Sequence, residues 1–236
     1  MLNKKILLIG GCGFIGHNLA IHLKKMGADP VIVDSLAINN ILSFVDDEVQ
    51  NKKLYSSILN NRIELLNKNE IKLIIQDARD YHAISKIYHD INPEIIIHLA
   101  AVSHANKSNK DPHSTFDHSF RTLENTLDYA KKNKTHVIYM SSSMVYGNFE
   151  SEDVKEDRVC KPIGIYGTLK YSGELLVKAY SDVFNLPYTI IRPSALYGER
   201  CVSRRVGQIF IENAIQGLDI TINGSVEEKL DVTAVE

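Results

Sequence analysis

Tyr166 and Lys170 stand four residues apart in Tyr166-Gly167-Thr168-Leu169-Lys170. On a helix that spacing puts both side chains on one face. An ammonium held near a phenol favours the phenolate and lowers its pKa towards neutrality, which turns an inert side chain into an acid–base catalyst. The preceding apolar segment, His136-Val137-Ile138-Tyr139-Met140, runs into Ser141-Ser142-Ser143, where a hydroxyl can hold a substrate oxygen against that phenol. Y-x-x-x-K alone is common by chance, so its weight depends on what else the chain carries.

A second constellation lies near the start, in Ile6-Leu7-Leu8-Ile9-Gly10-Gly11-Cys12-Gly13-Phe14-Ile15-Gly16. Four aliphatic residues predict a short buried strand, and Phe14 and Ile15 open a helix. The glycines between let the backbone turn tightly against an anion, so a pyrophosphate at that helix start meets free N–H groups and the positive end of the dipole. Gly11, Gly13 and Gly16 fit G-x-G-x-x-G, while Gly10, Gly13 and Gly16 fit G-x-x-G-x-x-G; the glycines alone do not choose. Pro30-Val31-Ile32-Val33-Asp34 predicts the next strand. A carboxylate at its end suits the two hydroxyls of an adenosine ribose and repels a 2′-phosphate, and no arginine follows immediately, so NAD is favoured over NADP.

The elements that must position these groups follow in alternation. Two apolar runs of helical period, Leu36 to Val45 and Tyr55 to Leu66, fill the stretch before Lys72 and exceed one crossover, which predicts an extra helix there. Lys72 to Gln76 reads as the third strand, with Asp77 and Ala78 beside the adenine, followed by a helix around Ile84 to Ile91. Glu94 to Ala101 reads as a fully buried strand ending in Leu99-Ala100-Ala101, small residues at the crevice where a ligand would lie against backbone. The loop after it carries Ser103 and His104 in a polar cluster facing the same crevice. A helix from about Pro112 to Lys132, the strand His136–Met140 and a helix from Tyr166 to about Phe184 complete the pattern. Strands alternating with helices imply an α/β fold with a doubly wound parallel sheet of the Rossmann type. Arg200, Arg204 and Arg205 precede a further helix, and guanidinium groups there suit a sugar-nucleotide diphosphate.

The 236 residues, 44% hydrophobic and 24% charged, allow one sizeable core and a small appended lobe. A net charge of −2 offers no bulk reason to expect nucleic acid or an anionic membrane as partner. Cys12, Cys160 and Cys201 form no C-x-x-C pair, and the nine histidines form no H-E-x-x-H pattern, so no metal site is read and a reducing cytoplasm fits best.

On these motifs the chain resembles the extended short-chain dehydrogenase/reductases of the nucleotide-sugar epimerase/dehydratase family, over essentially its whole length. Gly10, Gly13 and Gly16 match that family's cofactor turn, leaving Gly11 and Cys12 as small fillers beside the pyrophosphate. His98-Leu99-Ala100-Ala101 matches its fourth strand, Ser141-Ser142-Ser143 with Val145-Tyr146-Gly147 its serine strand, Tyr166 and Lys170 its catalytic pair, and Arg192-Pro193 with Tyr197-Gly198 its R-P-x-x-x-Y-G segment. The resemblance implies Ser142, Tyr166 and Lys170 as catalytic residues, NAD held also by Tyr166, Lys170 and Pro193, and a substrate touched by Ser103, His104, Ser142, Ser143, Arg200 and Arg205. It also implies a cytoplasmic homodimer. Family 4,6-dehydratases carry an acidic pair at the positions of Ser143 and Met144, whereas epimerisation or ketone reduction needs only the serine, tyrosine and lysine. The expected activity is therefore a C4 epimerase of a nucleotide sugar, with a dehydrogenase or ketoreductase, or a silent dinucleotide sensor, as alternatives. The expected division is a cofactor domain over residues 1–190 and a substrate lobe from 191 to 236. Family members continue past the equivalent of Glu236, so the chain reads as C-terminally truncated, with that lobe incomplete.

Overall fold

The computed structural model describes residues 3–44, 51–102, 105–149, 154–203, 205–222, 224, 227 and 231–235. Five strands alternate with helices as the sequence predicts: β1 (Lys5–Ile9), α1 (Phe14–Lys25), β2 (Asp29–Asp34), α2 (Lys52–Lys68), β3 (Lys72–Ile75), α3 (Tyr81–Ile91), β4 (Ile95–His98) and β5 (His136–Met140). Between β4 and β5 come α4 (Ala105–Lys110), α5 (Pro112–Phe116) and α6 (Thr122–Asn133). After β5 come α7 (Gly164–Phe184), β6 (Tyr188–Ile191), β7 (Ala195–Tyr197), α8 (Val206–Ile215) and β8 (Val232–Ala234). All pairings are parallel, and the main sheet has the order β3-β2-β1-β4-β5-β6, with its reversal between β1 and β4. In a sheet of this kind ligands bind at that switch point, beyond the strand C-termini.

Period-two alternation in β1 builds the two cores. Ile6 and Leu8 face a cluster with Ala20 and Leu23 of α1 and Leu66 of α2, whereas Leu7 and Ile9 face Ile84 and Tyr88 of α3. Being apolar on both faces, β1 must be covered on both sides by helices.

The structure departs from or adds to the expected pattern in three places. The stretch before Lys72 holds, among the described residues, one short 3₁₀ turn at Ile41–Phe44 and α2. Helix α2 is itself the β2–β3 crossover, so among the described residues no additional α-helix decorates the domain there. The sixth strand, Tyr188–Ile191, pairs with β5 at the sheet edge and was not anticipated, although tyrosine, threonine and isoleucine all favour strands. The helix expected from Pro112 to Lys132 is present as α5 and α6, joined through a π turn at Asp117–Arg121 with helical backbone throughout. No helix among the described residues is long and apolar enough to cross a membrane.

Candidate active site

The cleft at the switch point begins where β1 ends. Gly10 has φ +75°, and a Cβ there would lie 2.7 Å from the backbone nitrogen of Ala100, so β4 can approach only a glycine. Gly16 is as constrained, since its Cβ would sit 2.4 Å from the carbonyl oxygen of Gly11. Gly13 is the N-cap of α1 and supplies no side-chain cap, which leaves first-turn N–H groups for an anion. Gly10, Gly13, Phe14, Ile15 and Gly16 line the cleft together with Asp34, Asp77, Ala78, Leu99, Ala100 and Ala101. Gly11 and Cys12 do not stand beside a ligand as expected: both are buried, and a Cβ on Gly11 would strike Leu8 and Ile32. Close packing of the turn onto the core accounts for their small size.

Asp34 is anchored at both oxygens. Its Oδ2 accepts the Cys12 N–H at 2.9 Å and its Oδ1 the Leu36 N–H at 2.8 Å, so the carboxylate is aimed by the glycine turn itself. Burial nonetheless holds its pKa above the ordinary carboxylate value, with both amides opposing that rise. Asp77 is paired with Arg79 at 2.6 Å, and Arg79 bridges on to Asp117 at 2.8 Å. The Arg79 hydrogen bonds keep Asp77 below the usual range.

The second half of the site sits at the end of β5. Ser142 caps a 3₁₀ turn by accepting the Met144 N–H at 3.2 Å, and its hydroxyl acts on the Tyr166 phenol in the direction that lowers its pKa. Lys170 donates to the Met140 carbonyl at 2.6 Å, with its ammonium 5.2 Å from the Tyr139 ring centre and 6.0 Å from that of Tyr166. The expected depression of the phenol pKa is not what this arrangement produces. Burial raises Tyr166, against smaller lowering effects of the Ser142 hydrogen bond and the Arg205 charge. Burial also pulls Lys170 down to about 8, with Glu174 opposing.

Glu174, four residues after Lys170 on α7, is fully buried. It accepts the Ser141 hydroxyl at 2.5 Å and a two-pronged ion pair from Arg192 at 2.9 and 2.7 Å. Arg192 in turn donates to the Tyr146 hydroxyl at 2.9 Å. The R-P segment is thus a strut beneath the serine strand, and the Pro193 carbonyl accepts the Ser143 N–H at 3.0 Å. Gly173 packs so closely that a Cβ would lie 2.2 Å from the Tyr139 hydroxyl.

The two arginines expected on one diphosphate are separated. Arg205 lines the cleft. Arg200 faces helix α1, donating to His17 Nε2 at 3.0 Å, to Asn18 Oδ1 at 2.8 Å and to Glu199 at 2.6 Å. Its left-handed backbone, φ +63°, turns the guanidinium away from the cleft. Ser103 and His104 lie outside the described residues, as does Arg204.

Arg62 was missed. It is 1% exposed, lines the cleft, donates through Nε and Nη2 to the Arg200 carbonyl at 3.1 and 2.5 Å, and its Nη1 has no partner among the described residues. The signal was present: Tyr55, Leu59, Arg62 and Leu66 form the buried stripe of α2, and a guanidinium in such a stripe requires a polar purpose.

Two buried histidines flank the cleft. Burial lowers His17 to about 4 and His98 to about 3. His17 accepts from Arg200 at Nε2, so its Nδ1 carries the proton and donates to the Gly13 carbonyl at 2.8 Å. Both folded pKa values lie below the unfolded value near 6.5, so the unfolded chain binds protons first as the pH falls. Stability contributed by the neutral rings is complete above about pH 6.5 and declines from there towards pH 4. Urea unfolding at pH 7, 6 and 5 is expected to show this as a loss of up to about 3 kcal/mol per pH unit for two protons. His17→Gln should make the decline shallower.

A dinucleotide fits this cleft on three observations: the uncapped first turn of α1, the side-chain-free approach at Gly10 and Gly16, and the doubly anchored Asp34. Comparison with known proteins agrees. Residues 6–236 match the model of the NAD dependent epimerase/dehydratase family. The chain belongs to that family. Among its relatives is Protein CapI of Staphylococcus aureus, 32% identical over 82% of this chain and 54% of that protein. The dTDP-D-glucose 4,6-dehydratase of Dictyostelium discoideum is 28% identical over 94% of this chain and 50% of its own length. The chain thus spans about half the length of these curated relatives. The UDP-glucuronic acid 4-epimerase of Bacillus cereus, solved with UDP-glucuronic acid and NAD, superposes with a TM-score of 0.85 at 27% identity, covering 98% of this chain and 69% of that one. The glycine turn stands at the end of β1 and the serine turn at the end of β5, two strands away along the same edge of the parallel sheet, and Ser142, Ser143, Tyr166, Lys170 and Pro193 do not line the dinucleotide cleft itself.

Proposed function

We propose that the protein interconverts the C4 epimers of a nucleotide-activated sugar with NAD as resident cofactor. The observation that carries this reading is the content of the β5 end. Ser142, Tyr166 and Lys170 converge there, and the two neighbours Ser143 and Met144 bring no ionisable group, with Met144 40% exposed. Water elimination needs an acid and a base besides the phenol; a reversible oxidation at one carbon does not.

When bound, NAD would accept hydride from the sugar and return it. Gly10, Gly13 and Gly16 would admit its pyrophosphate and Asp34 its adenosine ribose. Tyr166 would take the proton from the 4-hydroxyl oxygen and give it back, with Ser142 hydrogen-bonded to that same oxygen and fixing its distance to the phenol. Lys170, which keeps its charge at neutral pH, would favour the phenolate whenever the proton has left. The support from relatives is that epimerases of UDP-glucose and UDP-glucuronic acid are among the superposing structures.

The test uses the full-length protein with a panel of nucleotide sugars, following product by NMR and reduced cofactor by absorbance at 340 nm (a property of any NADH). An epimerase gives a new C4 isomer with no net change in absorbance. Stoichiometric accumulation of NADH, or a released keto sugar, would replace the proposal with a dehydrogenase.

A further inference from the structure

The segment from Arg200 to Glu212, on the substrate side of the cleft, is fastened to two elements of the cofactor domain. Helix α2 holds it from one side. Arg62 grips the Arg200 carbonyl with two N–H groups, the Tyr55 hydroxyl donates to the Glu212 carboxylate at 2.7 Å, and Val202 packs into a cluster with Tyr55 and Leu59. Helix α1 holds it from the other. The Arg200 guanidinium donates to His17 Nε2 and Asn18 Oδ1, and His17 Nδ1 donates onward to the carbonyl of Gly13, in the turn that would face the pyrophosphate.

An unbroken polar chain therefore runs from the phosphate turn through His17 and Arg200 to Arg62. The guanidinium of Arg62 is fully buried, and desolvating such a group is costly unless it is engaged. Burial lowers it only to about 10, so it is charged at neutral pH. Its two-pronged grip fixes a backbone that adopts φ +63° at a non-glycine residue, a conformation that persists only when surroundings impose it. The same cleft is lined on one wall by Gly13, Phe14 and Asp34 and on the other by Leu196, Val202, Ser203 and Arg205. A ligand between those walls favours the fastened arrangement, which supplies the differential affinity that coupling requires.

We propose that Arg200 is a positioning residue which, with His17 and Arg62, couples occupation of the dinucleotide cleft to the placement of helix α8, and so of the sugar-nucleotide side of the site. This rests on the dinucleotide reading above. Helix α2 then serves the substrate lobe as its seat as well as linking β2 to β3.

The experiment is amide hydrogen exchange of the full-length protein, with and without saturating NAD, read by mass spectrometry. Arg205, the N-cap of helix α8, lines the cleft whereas residues 206–215 do not, so the coupling is read beyond the first turn, over residues 210–215, where direct contact with the cofactor does not reach. NAD is expected to slow exchange at Gly10–Gly16 and also across residues 210–215, the latter by about fivefold or more. In Arg200→Met the first effect stays and the second is lost. The Arg200 side chain is partly exposed, 21%, so this variant leaves the core intact. His17→Leu should behave like Arg200→Met, and His17→Gln, which keeps an acceptor for Arg200, should restore protection of α8. Protection of α8 that survives both Arg200→Met and His17→Leu overturns the coupling. So does a wild type protected at the glycine turn but not at α8. A glycine turn that NAD leaves unprotected overturns the dinucleotide reading itself, and the coupling with it.

Discussion

Tyr166→Phe is expected to lower turnover about 10³-fold, while NAD binding, measured by calorimetry, changes less than about threefold. Removal of a general acid–base group costs 10²–10⁴-fold in general. The ring of Tyr166 is retained, and what is lost is the hydroxyl on which Ser142 acts. A variant that still interconverts epimers at the normal rate would exclude the phenol as the proton carrier. Burial raises the phenol, while the Lys170 ammonium, 6.0 Å from the ring centre, is itself held near 8. Burial is therefore the first cause at both groups, opposed at Tyr166 by Ser142 and Arg205 and at Lys170 by Glu174.

Glu174→Gln is expected to act on both stability and pH dependence. The carboxylate carries the Ser141 hydroxyl and both prongs of Arg192 at 0% exposure. Removing one partner of a buried ion pair costs about 3–5 kcal/mol, because the other charge remains; glutamine keeps the volume, so about half of that is the expected loss in urea unfolding. Glu174 is also the charge that opposes the fall of the Lys170 pKa. Without it the lysine loses its proton at lower pH, so the alkaline limb of the kcat profile should move down from its wild-type position. An unchanged limb together with a destabilised fold would show that Glu174 only braces the strand and does not tune the lysine.

The parts of the molecule legible in the sequence are those where one residue type has one physical use. Gly10 and Gly16 could be read because no side chain fits where they stand, and Asp34 because a carboxylate at a strand end beside such a turn has few other employments. Strands β1, β2, β4 and β5 announced themselves as aliphatic runs buried on both faces. The edge strand β6 was not read although Tyr188, Thr189, Ile190 and Ile191 all favour strands, because four such residues between Pro187 and Arg192-Pro193 are too short a run to show a period. Arg200 was misdirected for a different reason: local sequence places it near a helix start, and only the left-handed backbone at that residue sends its guanidinium to α1. Arg62 and Glu174 were not singled out in the sequence. Their burial is a property of which helix face meets the sheet, which the periodicity around Tyr55, Leu59 and Leu66 recorded without being applied to the charge among them.

The π turn at Asp117–Arg121 has a consequence for what can change in this stretch. Such a turn closes its hydrogen bonds over five residues instead of four, and so holds one residue more than the helix on either side. On its cleft side are His118, next to the dinucleotide wall, and Ser119, whose hydroxyl accepts the Val102 N–H at 3.3 Å. Beyond it, Leu123, Leu127 and Ala130 lock α6 into the core. The wide turn takes up that extra residue as a bulge, so α6 leaves it still in phase with α5. Loss of a single residue would close the turn to regular helix without moving Leu123, Leu127 and Ala130 from the core, and what would go is the widening that sets His118 and Ser119 towards the cleft. What the length of this segment carries is therefore the shape of the cleft wall and not the placement of the core.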